Sequence, residues 1–420
     1  MTSRGESHSI HPREPLPASA SPDAAPADSA PRWTAAGILA VSASTLAVAA
    51  SLGLARFGYA LLLPDMRAAL GVGYTDMGAL ATANFVGYIV TAFLVSLLAV
   101  RFGLRRTVVG ALLLTGIATA LTGATSSVWM AAALQFFAGL GGAGGVIPSY
   151  QIAASHVAPR SRGLASGFTA SGAGVGLALS GLVLPPTLAL GATGWRWGWG
   201  ALGLLVVLIA LYVAFAVRGD GAARRAGSTR ADYVGILRLP AIWWLGVLYV
   251  LWGFAYIIFA TFFASAAITE GGWDGWTAGQ LWSLTGFVAI GSCPLWGALS
   301  DRWGRPQMLA LVLALQGAAC AAVALSQQPT AFVVAAALFA IGGFGVPTLV
   351  NAMATDLAGV ALTTAAVGVL TLCFGLGQAI GPLVGGALRD LTQSFPAAVL
   401  GAAVALLGRS LLYRRPALGG

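Results

Sequence analysis

The chain contains no lysine, and only 8% of its 420 residues are charged. A soluble domain carries about 25%. So few charges cannot cover a water-soluble fold of this length, so the solvent facing most of the chain must be lipid. The three cysteines, Cys293, Cys320 and Cys373, all fall inside apolar stretches. An odd number of such thiols builds no disulfide framework and offers no metal spacing. The three histidines are His8 and His11 near the N-terminus and His156 in a predicted loop, so no metal, haem or other cofactor is expected. The spans also lack a Ser/His pair and an acid dyad, which argues against an intramembrane enzyme. Residues 1–32 are rich in Pro, Ala and Ser and lack the basic-then-apolar order of a secretory signal. They are expected to form a disordered tail.

What is present is apolar: 58% of the chain is hydrophobic and the mean hydropathy is +0.85. A membrane helix needs about 20 such residues. Twelve spans fit, at roughly 34–63, 77–99, 106–125, 128–152, 162–190, 196–217, 241–268, 276–299, 306–326, 330–354, 361–386 and 396–413. The expected fold is an all-α polytopic membrane protein of twelve transmembrane helices. The first span is longer than one crossing, so it must be tilted, extended beyond the bilayer or broken.

The net charge of +9 is no nucleic-acid footprint, because the arginines are scattered over short loops. With a cytoplasmic N-terminus and twelve crossings, eighteen of the 22 basic residues lie inside, three (Arg67, Arg196 and Arg389) lie outside, and Arg56 lies within a span. This asymmetry predicts both termini on the cytoplasmic side of a bacterial inner membrane.

The longest polar interruption, 218–240, holds five Arg and two Asp. It divides the chain into a tail 1–32, a six-helix bundle 33–217, a cytoplasmic linker 218–240, a second bundle 241–415 and a short tail 416–420. The bundles resemble each other. Val100-Arg101-Phe102-Gly103 matches Asp301-Arg302-Trp303-Gly304 at an offset of 201 residues, and Gly167, Gly174 and Gly176 match Gly368, Gly375 and Gly377 at the same offset. Parallel six-span repeats are a transporter device, with the site between two halves.

These motifs resemble the major facilitator superfamily. Gly297-Ala298-Leu299-Ser300-Asp301-Arg302-Trp303-Gly304-Arg305 is similar to its loop signature between spans 8 and 9. The copy between spans 2 and 3 has Ser96 for the first Gly and Val100 for the Asp. Gly375-Leu376-Gly377-Gln378-Ala379-Ile380-Gly381-Pro382 resembles the glycine-rich antiporter-type helix, here in span 11. Ala55-Arg56-Phe57-Gly58-Tyr59 resembles the Arg-Phe-x-Tyr motif of a poorly characterised bacterial subfamily. Where many members carry a span-4 Arg, this chain has Gln135, four residues before Gly139. The resemblance implies two pseudo-symmetric bundles rocking about a small-molecule site, and a monomer.

Arg56 is the sharpest candidate. An arginine within a membrane helix costs at least about 2.5–3.5 kcal/mol at the centre and usually faces a cavity or a partner. All thirteen acids fall in tails, loops or span ends, so no permanent anion partner is evident. A substrate carboxylate fits, since a guanidinium pairs bidentately. The alternative is snorkelling, or bonding to the carbonyls of a broken helix. Tyr59 shares the Arg56 face. Asn84 and Tyr88 share a face of span 2, and Gln135 is cavity-lining or interhelical glue. Trp252, Tyr256, Phe259 and Phe263 form a helical stripe that is either packing or a ligand wall. Gln378 lines the cavity or satisfies backbone freed by Pro382. Asp301 is expected to contact the start of span 5 near Arg160 and Arg162, forming a gate with Arg302, Arg305 and Arg101.

Three functions remain open. The first is a carrier of a small organic anion or amphipathic metabolite, with any coupled proton riding on Asp65, Asp356 or the substrate. The second is a multidrug-type efflux pump, and the third a non-transporting membrane sensor. A deep acid would have supported export of cations, and none is present. A sensor would need a sizeable soluble module, which a 32-residue tail does not offer.

Overall fold

A computed structural model describes residues 33–219 and 230–395. The predicted span at 396–413, both tails and most of the linker lie outside the described residues. Ten helices among these residues are long and apolar enough to cross a membrane. They are α1 (Ala35–Leu70), α2 (Tyr74–Phe102), α3 (Leu104–Thr122), α4 (Val128–Ser155), α5 (Pro159–Leu188), α6 (Gly194–Ala216), α7 (Pro240–Thr269), α9 (Arg305–Leu325), α10 (Pro329–Gly359) and α11 (Leu362–Thr392). An eleventh, α8 (Gly275–Trp303), is bent by 44° between Ser292 and Pro294. A short helix, Arg230–Leu237, precedes α7. The spans therefore match the predicted ones closely, and the described residues contain no strand.

Local chemistry sets several boundaries. The Thr34 hydroxyl accepts the Gly37 N–H at 3.0 Å and starts α1. The Asp274 carboxylate accepts the Thr277 N–H at 2.7 Å and starts α8. That backbone bond, with the Thr277 hydroxyl, holds the Asp274 pKa below its ordinary value. The motif glycines Gly103 and Gly304 end α2 and α8 at φ +84° and +92°. Only glycine enters that region at little cost, which is why both copies keep it although the neighbouring residues diverge.

The long first helix is broken, as its length required. Ala49–Phe57 is wound as a π-helix between two α-helical segments. Such segments are rare and insert extra residues into the ladder. Arg56 lies in the last turn of this winding.

The internal repeat is physical as well as textual. Gly176 of α5 meets the backbone of α1 at Ala49, and Gly377 of α11 meets the backbone of α7 at Val250. A Cβ on either glycine would overlap the carbonyl oxygen opposite. Ala49 and Val250 are themselves 201 residues apart, the offset seen in the motifs. Across the interface between the halves, Gly174 faces Ile290 and Gly375 faces Ile89. These isoleucines carry the same offset, with the two halves exchanged. The helix pairs α1–α5 and α7–α11 are thus equivalent, and α2–α11 and α5–α8 join the halves.

Candidate substrate cavity and gates

Between the halves lies a cavity of about 720 Å³. Pockets of about 300–1,000 Å³ suit small molecules. Its walls run from Arg56, Phe57 and Tyr88 past Trp252, Tyr256 and Gln378. It continues to Gly163 and Leu164 at the start of α5, Gly297 near the end of α8 and Asn351 in α10. The cavity therefore extends to the face that carries the Gly103 and Gly304 loops. The opposite face is closed.

Arg56 sits deep in this space. Its guanidinium carbon lies 4.3 Å from the Phe85 ring centre and 4.7 Å from that of Tyr88. Two aromatic faces stabilise the cation, but they leave its N–H edges unbonded. Nε and Nη2 are buried and have no hydrogen-bond partner among the described residues. Unmet buried donors cost roughly 1–3 kcal/mol each, more when charged. No carboxylate lines the cavity among the described residues. At the repeat offset Arg56 corresponds to Ile257, so the charge has no counterpart in the other half.

The aromatic stripe of α7 divides. Trp252 and Tyr256 line the cavity. Phe259 and Phe263 stack on each other at 4.8 Å, and on Phe339 and Trp282, inside the second bundle. On the cavity side Tyr249, Trp252 and Phe374 form a slab of nearly parallel rings, with centroids 4.8–5.5 Å apart. The Trp252 indole N–H is buried without a hydrogen-bond partner among the described residues. Gln378 lines the cavity beside this slab.

Three candidates lie elsewhere. Tyr59, Asn84 and Gln135 border a separate void of about 10 Å³ behind Arg56 and do not line the main cavity. The Tyr59 hydroxyl donates to the Met77 carbonyl at 2.8 Å, and its ring stacks on Trp199. The Asn84 amide donates to the backbone carbonyl and side-chain oxygen of Gln135 at 3.2 and 3.1 Å. The Gln135 amide in turn donates to Thr122. This network ties α2, α4 and α3 together. Gly139, one turn after Gln135, lets α2 approach closely enough for it to form.

The sequence reading missed Tyr249, Phe374 and Asn351, which also line the cavity. Tyr249 lies three residues before Trp252 and extends the predicted stripe by one step, so its signal was present. Phe374 carried no such signal, because it joins the slab from another helix.

On the open face, Asp301 pairs with Arg305 at 3.9 Å, and Arg305 also binds Asp356 and the Ala352 carbonyl of α10. Arg101, Arg162, Asp301 and Arg302 are exposed there. In the first half Arg105 caps α6 by donating to the Ala214 carbonyl, where a cation suits the helix C-terminus.

On the closed face the halves touch backbone to backbone. A Cβ on Gly78 would overlap the Pro382 carbonyl, and one on Gly386 would overlap that of Tyr74. The Asp390 carboxylate of α11 accepts the Tyr74 and Thr75 N–H groups at 3.0 and 2.8 Å and the Thr75 hydroxyl at 2.7 Å. It caps the N-terminus of α2 from the other half of the molecule. The sequence reading left Asp390 at a span end; the observed helix runs to Thr392 and presents it to α2. Beside it Arg389 pairs with Glu270 at 3.4 Å. Charge-assisted bonds of this kind are worth about 1.5–3 kcal/mol. Asp390→Asn should therefore speed amide exchange at Tyr74 and Thr75 by roughly tenfold. Unchanged protection at both amides would show that Asp390 is no latch.

Two bundles of membrane-crossing helices, closed at one end and open to a central cavity at the other, define a membrane carrier. Residues 47–413 match the family described as uncharacterised MFS-type transporter YbfB, and the chain belongs to that family of the major facilitator superfamily. It is similar to a probable sulfoacetate transporter, SauU, of Cupriavidus necator (24% identity, covering 86% of this chain and 90% of the relative). It is also similar to a chloramphenicol resistance protein of Streptomyces lividans (31%, covering 81% and 86%). A third relative, the oxalate:formate antiporter of Oxalobacter formigenes, is 31% identical over 41% of this chain and 40% of its own length. Among solved structures, a bacterial homologue of the human lysosomal transporter Spinster, in an inward-facing and unoccupied conformation, has a TM-score of 0.69 at 18% identity, covering 90% and 93%. The nucleoside transporter NupG has a TM-score of 0.69 at 12%, covering 90% and 96%. These likenesses establish the fold. Family and fold are those of multi-pass membrane transporters and not of enzymes.

Proposed function

We propose that the chain carries a small organic anion or amphipathic metabolite across the bacterial inner membrane by alternating access, as a monomer. The observation that carries this reading is Arg56: a guanidinium that lines the central cavity, with two buried nitrogens that have no hydrogen-bond partner, and no carboxylate, among the described residues there. A substrate anion supplies the missing partner. The anion-carrying relatives support the class, since sulfoacetate, oxalate and formate are all named for them. The arginine asymmetry supports a cytoplasmic open face. The motif charges Asp301, Arg302, Arg305, Arg101 and Arg162 lie on that face, and they form the gate that closes it in the opposite state. A coupled proton would travel on the substrate, or on Asp65 or Asp356 outside the cavity.

In liposomes, Arg56→Gln should lower organic-anion flux by at least about a hundredfold while leaving the melting temperature close to wild type. Arg56→Lys should recover only part of it, because an ammonium lacks the planar fork. Full flux in the glutamine variant would remove Arg56 from the site. The aromatic slab and the chloramphenicol-resistance relative favour a second reading, export of neutral aromatic drugs. That reading predicts drug flux indifferent to Arg56→Gln.

A further inference from the structure

The two halves contribute different chemistry to one cavity. The first half supplies a single positive charge, Arg56; the second supplies the slab of Tyr249, Trp252 and Phe374. The repeat does not require this division, since Ile257 stands at the offset position of Arg56. The two surfaces are near neighbours. Phe57, next to Arg56, meets the Tyr256 ring edge-on at 6.3 Å, and Tyr256 tilts against Trp252 at 4.8 Å.

We infer that the substrate is a monoanion with a flat, ring-bearing body, such as an aromatic carboxylate, and not a compact dianion of the oxalate or sulfoacetate type. The inference rests on the organic-anion reading and narrows it. Charge sets the first limit. One guanidinium with no second cation among the cavity-lining residues neutralises one negative charge. A second negative charge would find no cation to pair with among the described cavity-lining residues. Size sets the next. A cavity of about 720 Å³ leaves a two-carbon anion mostly in water, whereas a ring-bearing acid reaches the slab while its carboxylate stays at Arg56. Surface chemistry completes the case. Ring faces stack on rings.

Such a ligand also explains how binding would bridge the halves. Its charged end belongs to the first bundle and its ring to the second, so one ligand engages both halves at once. Differential affinity is what shifts a carrier between states.

The test is ligand binding to the purified full chain by thermal shift and by direct calorimetry, with four probes. Phenylacetate has ring and charge, acetate has charge alone, oxalate has two charges without a ring, and phenylacetamide has the ring without charge. Each is measured on wild type, Arg56→Gln and Trp252→Leu, with the unliganded melt of each variant as the folding control. The expected result is that phenylacetate binds at least about tenfold tighter than acetate or oxalate, and that each substitution costs it about tenfold or more. Tightest binding of oxalate, lost in Arg56→Gln and untouched by Trp252→Leu, overturns the inference and leaves the organic-anion reading standing. Equal binding of phenylacetamide and phenylacetate, insensitive to Arg56→Gln, overturns both. Failure of phenylacetate to bind the folded wild type also overturns the inference. If Trp252→Leu does not fold, Phe374→Leu replaces it, since Phe374 belongs to the same slab from α11.

Discussion

Gly386→Leu should leave the chain folded and stop transport. The atoms nearest a Cβ at Gly386 are the Tyr74 carbonyl and the Thr75 nitrogen, all from the other half of the molecule. The first clash of a larger residue there is therefore with the other half. That clash belongs to the state in which the face closed by α2 and α11 is shut. It involves backbone, which cannot rotate away as a side chain would. Overpacking costs about 1–3 kcal/mol, and a rigid contact lies at the upper end. About 3 kcal/mol shifts the ratio of the two states by more than a hundredfold. The same variant tests the gate proposed for the other face. With one face held open, the loop-motif side should close, and a cysteine pair at Asp301 and Arg162 should cross-link in higher yield than in an otherwise wild-type background. Equal yields in the two backgrounds would count against a gate there. Undiminished flux in Gly386→Leu would mean that the backbone contact is not part of the cycle.

Gly53→Leu has the opposite expected signature, loss of the fold itself. Gly53 lies in the π-helical segment of α1, and a Cβ there would overlap the Gly176 backbone of α5. Both glycines belong to the same bundle, so the clash is present in every transport state. The cost is again at the upper end of the overpacking range, about 3 kcal/mol, but it now falls on the core of one bundle. Size-exclusion profiles should show aggregate in place of a monodisperse peak. Gly110→Leu is the control, since nothing lies within 4 Å of a Cβ at that position. A sharp peak and normal melt for Gly53→Leu would show that the two helices separate more easily than their contact suggests.

Much of the architecture was legible in the residue string. The scarcity of charge announced the membrane, and runs of about 20 apolar residues marked the spans. The shared offset of 201 announced the duplication, because both properties are one-dimensional. The lining of the candidate cavity was legible in part. Arg56 stood out because an intramembrane cation is rare, and Tyr88, Trp252, Tyr256 and Gln378 were found because polar or aromatic residues are conspicuous on apolar helices. The same rule also selected Tyr59, Asn84 and Gln135, which satisfy one another or their neighbours within the first bundle. An isolated helix pattern does not distinguish a polar group that meets a neighbouring helix from one that meets a cavity. Asp390 carried even less signal, because its partners lie more than 300 residues away.

The sequence by itself determined that this protein lives in lipid, that it is built from two related helical halves, and that one arginine is held where a charge is expensive. Hydropathy, offset and residue type suffice for those conclusions, since none depends on how a helix is rotated about its axis. Only the tertiary structure decided which half of the α7 stripe meets the cavity, which face is shut, and that Asp390 bridges the halves. Those outcomes follow from the rotation and tilt of helices packed against one another, set by close backbone contacts such as Gly53 with Gly176 and Gly386 with Tyr74.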